Sequence, residues 1–143
     1  MASSTSSLHT LQGKVALIAG GAKNLGGLLA RDLARHGVRA VAVHYNSDAT
    51  RAAADETVAA VRALGADAQA WQADLTTAAA VALLFDQAKA RFGQIDIAIN
   101  TVGKVLKKPI LEISEAEYDD MFAINSKSAF FFLKEAGKHV NDN

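Results

Sequence analysis

The sequence predicts an α/β domain built on a doubly wound parallel sheet, here with four strands. Three observations carry this. Short apolar runs alternate four times with segments of helical periodicity, the order that produces a parallel sheet with helices on both faces. Right-handed crossovers turn such an alternation into a doubly wound sheet. The chain of 143 residues, half of them apolar, has room for one domain around one core.

Each element has its own signal. Lys14 to Ala19 (KVALIA) reads as a buried strand. After a glycine cluster, Leu25, Leu28, Leu29 and Leu33 recur at helical spacing and predict the first helix. Arg39 to Tyr45 (RAVAVHY) is the second strand. Ala49 to Leu64, carrying Val58 and Val61, is the second helix, with Gly65 suited to its C-terminal cap. Ala68 to Ala73 is a weaker third strand. Thr76 to Phe92 is the third helix, with Val81, Leu84, Phe85, Ala88 and Phe92 on one face and Gly93 as its stop. Ile95 to Ile99 is the fourth strand. Beyond a loop holding the only proline, Pro109, Ser114 and Glu117 form a capping box for one long last helix. Tyr118, Met121, Phe122, Asn125, Ala129 and Phe132 share a face of it. Phe130 and Phe131 then point away from the sheet and predict a partner surface.

Residues 1–10 are rich in Ser and Thr and are expected to be a flexible leader; residues 11–143 form the domain. The polar stretch Asn141-Asp142-Asn143 falls where a fifth strand should begin, so a longer polypeptide is expected, and Ile95, Ile97 and Ile99 are expected on an exposed edge without it. The formal net charge is zero, which gives no global field favouring nucleic acid or an anionic membrane. There is no cysteine, which excludes disulfides and thiolate nucleophiles. His9, His36, His44 and His139 lack metal-ligand spacing; they are expected on the surface or at strand ends, and no metal is expected. No apolar run reaches the roughly 18 to 20 residues of a membrane span, and the N-terminus does not read as a signal peptide. The cytoplasm is the default location.

The informative segment is Ala19-Gly20-Gly21-Ala22-Lys23-Asn24-Leu25-Gly26-Gly27, between the first strand and the first helix. Glycine at a strand end allows a tight turn with positive φ. Glycine at a helix start lets backbone N–H groups approach a phosphate, where the helix dipole favours an anion. Lys23 adds a cation. A glycine-rich turn without a ligand has the same composition, so the position after the first strand carries the argument. No Gly-Lys-Ser/Thr comes after it, which excludes a nucleoside-triphosphate P-loop.

This segment resembles the T-G-x-x-x-G-x-G of short-chain dehydrogenases/reductases, a Rossmann-like family. Gly20 and Gly26 match its first and last glycines, and Leu25 takes the usual Ile position. Ala19 stands where Thr is usual and cannot make the hydrogen bond expected of it. Asn24 replaces the middle glycine and tolerates a left-handed conformation. The resemblance implies a nicotinamide cofactor. An acidic residue ending the second strand would bind the ribose of NAD; here Tyr45, Asn46 and Ser47 stand there, which with Lys23 favours NADP(H) over NAD(H). Asp48 is read as a cap of the next helix. Asp74 and Leu75 are expected at the adenine, although Asp74 is also suited to cap the third helix. Asn100-Thr101-Val102-Gly103 resembles the family's N-N-A-G: Asn100 would tie the central strands together, Gly103 would let the backbone pass the cofactor, and Thr101 and Val102 are merely small.

Asn125 is implied as the Asn of a catalytic Asn-Ser-Tyr-Lys tetrad. The family's base is a Tyr followed four residues later by Lys, and neither Tyr45 nor Tyr118 has that partner. The resemblance therefore implies the cofactor-binding part of an oxidoreductase acting on a small carbonyl or alcohol, a homodimer or homotetramer when complete. The alternative is a non-catalytic nucleotide-binding module. A methyltransferase on a similar fold is disfavoured by the missing acid at the second strand's end.

Overall fold

The computed structural model describes residues 10–142; the expected leader, all but Thr10, lies outside them. The strands are β1 (Val15–Ala19), β2 (Ala40–Tyr45), β3 (Asp67–Gln72) and β4 (Ile97–Asn100). The helices are α1 (Asn24–Arg35), α2 (Arg51–Ala63), α3 (Ala78–Phe92), α4 (Glu115–Phe122) and α5 (Ser128–His139). The sheet is parallel in the order β3-β2-β1-β4. From β1 the chain winds outward to β3 and then returns to the other side of β1 to form β4. That reversal makes the carboxyl ends of β1 and β4 a topological switch point, where open α/β sheets bind ligands.

Every residue of β1 and β2 is buried, which is why both read as nearly continuous apolar runs. On one face of the sheet Leu17, Leu84, Phe85 and Phe132 pack beneath α3 and α5; on the other Ile18, Val41, Val43, Ala30 and Val61 pack beneath α1 and α2. Within the first cluster the rings of Phe85 and Phe132 meet edge to face at 5.0 Å.

Four of the expected helices differ from expectation. In α1 it is Gly26, Gly27, Ala30 and Ala34 that are buried, while Leu25 and Leu28 are exposed. Small residues let this helix lie close to the strands, and of the four leucines Leu29 and Leu33 pack against the core. Helix α3 begins at Ala78, because the Thr77 hydroxyl accepts the Ala80 N–H at 3.3 Å and sets the cap there. The second helical segment opens with a 3₁₀ turn over Asp48–Thr50, preceded by Ser47. Asp48 caps nothing there and pairs with Arg51 at 3.0 Å.

The last helix is not continuous. Its capping box is present, with Ser114 and Glu117 each bonding the other's backbone N–H. The Ser114 N–H and the Lys108 ammonium hold the Glu117 carboxyl down at about 2. A π turn over Ala123–Lys127 then separates α4 from α5. The wider turn rotates the helix beyond it, so Ser128, Phe132 and Glu135 are buried and Phe131 packs against the core. Phe130 is exposed as expected, but Phe131 is not an outward residue.

After α5 the chain turns alongside β4. Val140 bridges Ile95 in parallel, and the Asn141 N–H donates to the Ile95 carbonyl at 2.9 Å. Ile95 is thus fully buried, while Ile97 and Ile99, half-buried, lie on the edge strand of the sheet, as expected. Beside them the buried Asp96 carboxylate accepts hydrogen bonds from the Val15 N–H (2.8 Å), Gln94 (2.7 Å) and Asn141 (3.2 Å).

Candidate functional site

A groove of about 700 Å³ opens at the carboxyl ends of the strands, over the β1–β4 switch point. Its floor is the glycine turn. Gly20 has φ +75° and Asn24 φ +51°, the only non-glycine residue with positive φ among those described. Asn24 therefore does what glycine does elsewhere in such turns, and its short amide makes that tolerable. Gly26 is held by close approach: a Cβ there would fall on the Gly20 carbonyl oxygen and within 2.8 Å of the Thr101 hydroxyl. The turn thus brings backbone, free of side-chain bulk, against whatever occupies the groove. Lys23 is the N-cap of α1 and makes no side-chain capping bond, and the first turn of the helix contains no acid. Its uncapped N–H groups and dipole suit a phosphate. The chemistry of this cradle fits the diphosphate of a dinucleotide.

Thr101 proves to be more than small. Its hydroxyl lies 2.8 Å from the Ala19 carbonyl oxygen and 3.2 Å from that of Gly20, donating across the β1–β4 seam. Its N–H also donates to Ala19, at 2.9 Å. Ala19 lacks a hydroxyl, but the seam does not: it comes from the other strand. Asn100, expected to tie the strands, instead closes its own turn by accepting the Val102 N–H at 2.9 Å. Gly103 passes close under Asn125, whose Oδ1 would be 3.2 Å from a Cβ there. Asn125 sits in the π turn. Its Oδ1 accepts the Lys104 N–H (2.9 Å), while its Nδ2 donates to the carbonyls of Lys104 and Met121 (both 3.0 Å). Side-chain amide and loop backbone pair like two strands, fixing the wall of the groove after β4. Asn125 itself is not a lining residue, although its neighbours Ile124 and Ser128 are.

Tyr45 and Asn46 also line the groove, and Asp74 and Leu75 stand beside them, just past the end of β3. The described carboxylates that line the groove are Asp74 and Asp120, and neither lies on β2. Arg51 leans over the Tyr45 ring at 5.5 Å and donates to Asp48 and Gln72. Ser47 is not a lining residue; its carbonyl accepts the Thr50 N–H and hydroxyl, both at 2.9 Å. Asp74 accepts the Thr76 N–H (3.0 Å) and hydroxyl (2.8 Å), shaping the turn that precedes α3 without capping it.

Several lining residues were missed, among them Thr50, Thr76, Asp120, Ser128 and His44. His44 is buried, at 2 % exposure, not a surface side chain. Its Nδ1 lies 3.0 Å from the Gly20 nitrogen and its Nε2 2.9 Å from the Ala73 carbonyl oxygen. Burial pushes its pKa below the ordinary imidazole range, against the opposing pull of the Ala73 bond and of Asp74. The signal was present in the sequence: a lone His ending an apolar strand next to a glycine turn needs partners if it points inward.

Comparison with known proteins agrees with this geometry. Residues 14–143 match the model of the short chain dehydrogenase family, and the chain belongs to that family. It is 38% identical over 135 residues to elsinochrome reductase 1 of Elsinoe fawcettii, covering 94% of this chain and 49% of that protein. It is 37% identical to a hydroxynaphthalene reductase-like protein of Metarhizium brunneum, covering 99% and 52%. Among solved structures it resembles an inferred dehydrogenase of Burkholderia cenocepacia with bound NADP: 76% identity, TM-score 0.92, 94% of this chain and 51% of that one. A short-chain dehydrogenase of Oenococcus oeni matches at 49% identity and TM-score 0.82, over 94% and 60%. The chain spans about half the length of the curated relatives it matches.

Proposed function

We propose that this chain is the cofactor-binding half of an NADP(H)-dependent oxidoreductase that interconverts a carbonyl and an alcohol on a small molecule. The observation that carries the reading is the groove itself: a glycine cradle at a switch point whose β2 end offers Tyr45 and Asn46 and no carboxylate. The Burkholderia protein of similar fold has NADP bound, and the curated relatives named above are a reductase and a reductase-like protein. When bound, the cofactor supplies or accepts the hydride. In this reading the residues divide the work. The Gly20–Gly26 turn and Lys23 hold the phosphates, with Asn24 and Leu25 shaping the turn. Tyr45 and Asn46 receive the 2′-phosphate end, and Ser47 shapes the loop behind them by holding Thr50. Asp74 and Leu75 flank the adenine. Asn100 to Gly103 run beneath the nicotinamide ribose, and Asn125 fixes that wall. The Ser, Tyr and Lys of the family's chemistry belong to sequence beyond this half.

The exposed aromatics Tyr118 and Phe122, stacked at 4.4 Å, with exposed Phe130 and Leu133, support a homo-oligomer assembled on α4 and α5. No described helix is long and apolar enough to cross a membrane, and a cytoplasmic location suits the reading.

The test is turnover of the complete polypeptide. With a panel of ketones, NADPH oxidation should exceed NADH oxidation, and Asn46→Asp should shift that preference toward NADH by about tenfold through repulsion of the 2′-phosphate. NADPH binding without any turnover would leave a nucleotide-binding module instead.

A further inference from the structure

The last register pair joining β1 to β2 is Ile18 with Val43. Beyond it the glycine turn leaves the sheet, and main-chain pairing can no longer hold the two strand ends together. A side chain takes over there. The Gly20 N–H can only donate, so Nδ1 of His44 must accept it, at 3.0 Å. The ring proton is then on Nε2, where it meets the Ala73 carbonyl at 2.9 Å. Ala73 is itself held to β2, its N–H donating to the Tyr45 carbonyl at 3.0 Å, and the next residue is Asp74. Both ring nitrogens are used, in one tautomer, by two backbone groups, one beyond the end of β1 and one beyond the end of β3.

We propose that His44 is a positioning residue for the dinucleotide: its neutral imidazole ties the phosphate turn at Gly20 to the end of β3 at Ala73, and so sets the spacing between the diphosphate cradle and the Asp74–Leu75 wall. The proposal rests on the NADP(H) reading of the groove. It has a consequence that an apolar spacer would lack. A second proton on the ring must go to Nδ1, which then turns an N–H toward the Gly20 N–H. The tie breaks on the phosphate side, and the turn is pushed from its place. Burial at 2 % exposure leaves little room for water to relieve that clash.

The charged groups around the ring are few. Asp74, on the β3 side, favours the protonated ring, and burial opposes it more strongly. Lys23 in the turn lines the same groove; Lys104 and Asp120 line it too, paired with each other at 2.7 Å. On α5, packed against this face of the sheet, the buried Glu135 is engaged by Lys138 and His139.

The experiment uses the complete polypeptide. Long-range proton–nitrogen correlation on histidine-labelled protein without cofactor should show His44 as the neutral Nε2–H form at neutral pH. An Nδ1–H form or an imidazolium would overturn the proposal. NADP⁺ is then titrated from about pH 8 to about pH 5 into wild type and His44→Asn, whose Oδ1 can still accept the Gly20 N–H but does not gain charge. The 2′-phosphate titrates in about the same range, so the difference between the two proteins is the readout. Toward low pH, wild-type affinity should fall severalfold more than the affinity of His44→Asn. Parallel profiles overturn the proposal while leaving the cofactor reading intact. No NADP⁺ binding by wild type at any pH overturns both.

Discussion

Asp96 shows how a single residue binds the frame of this site. It is buried, and burial alone would raise its pKa. The bonds from the Val15 N–H, Gln94 and Asn141 outweigh that cost and hold the carboxyl below its ordinary value. The folded chain therefore prefers the carboxylate. Its contribution is complete above the unfolded value of about 4 and is lost as pH falls through the folded one. Wild type should lose stability steeply below about pH 4, and Asp96→Asn should be destabilised at neutral pH with a flatter acid limb. Chemical denaturation at a series of pH values measures both; an unchanged slope in Asp96→Asn would remove Asp96 from this role. At this scale the sequence was legible where backbone geometry forces a residue type, as at Gly20, Asn24 and Gly26. It was not legible where a side chain crosses between strands. Thr101 reads as small until β4 is placed beside β1, and His44 reads as a strand end until Ala73 closes over it.

The order of elements was legible because each strand and helix has its own period and punctuation. The four-strand parallel sheet, the Gly93 stop and the Ser114–Glu117 box all come from local signals. The break at Ala123–Lys127 does not, since a π turn keeps helical composition and only changes phase. That phase turns Phe131 toward the core beside Phe132 and leaves Phe130 outside. Phe132 is 1 % exposed and meets Phe85 at 5.0 Å, which ties α5 to α3 below the groove. Phe132→Ala should therefore cost about 3–5 kcal/mol of stability, while Phe130→Ala should cost under about 0.5 kcal/mol in the isolated subunit. Equal losses in urea unfolding would mean that Phe132 does not carry the contact between α5 and α3 described here.

For the whole molecule, the face bearing Tyr118, Phe122, Phe130 and Leu133 has no cover among the described residues. A two-fold contact would place the same helices on both sides and bury them together. In the complete protein, Phe130→Ser with Leu133→Ser should shift the mass measured by light scattering toward the monomer; an unchanged oligomer would place the interface elsewhere. Function, however, rests on the groove. Its glycine cradle, its Lys23 cation and the absence of a carboxylate at the end of β2 together favour a dinucleotide carrying a 2′-phosphate. Calorimetric titration of the complete, cofactor-free protein with NADPH and with NADH is the most direct test. Saturable binding of NADPH at one site per subunit is expected, at least about tenfold tighter than NADH, the effect of one well-placed charge-assisted contact. Equal or tighter binding of NADH would contradict the assignment.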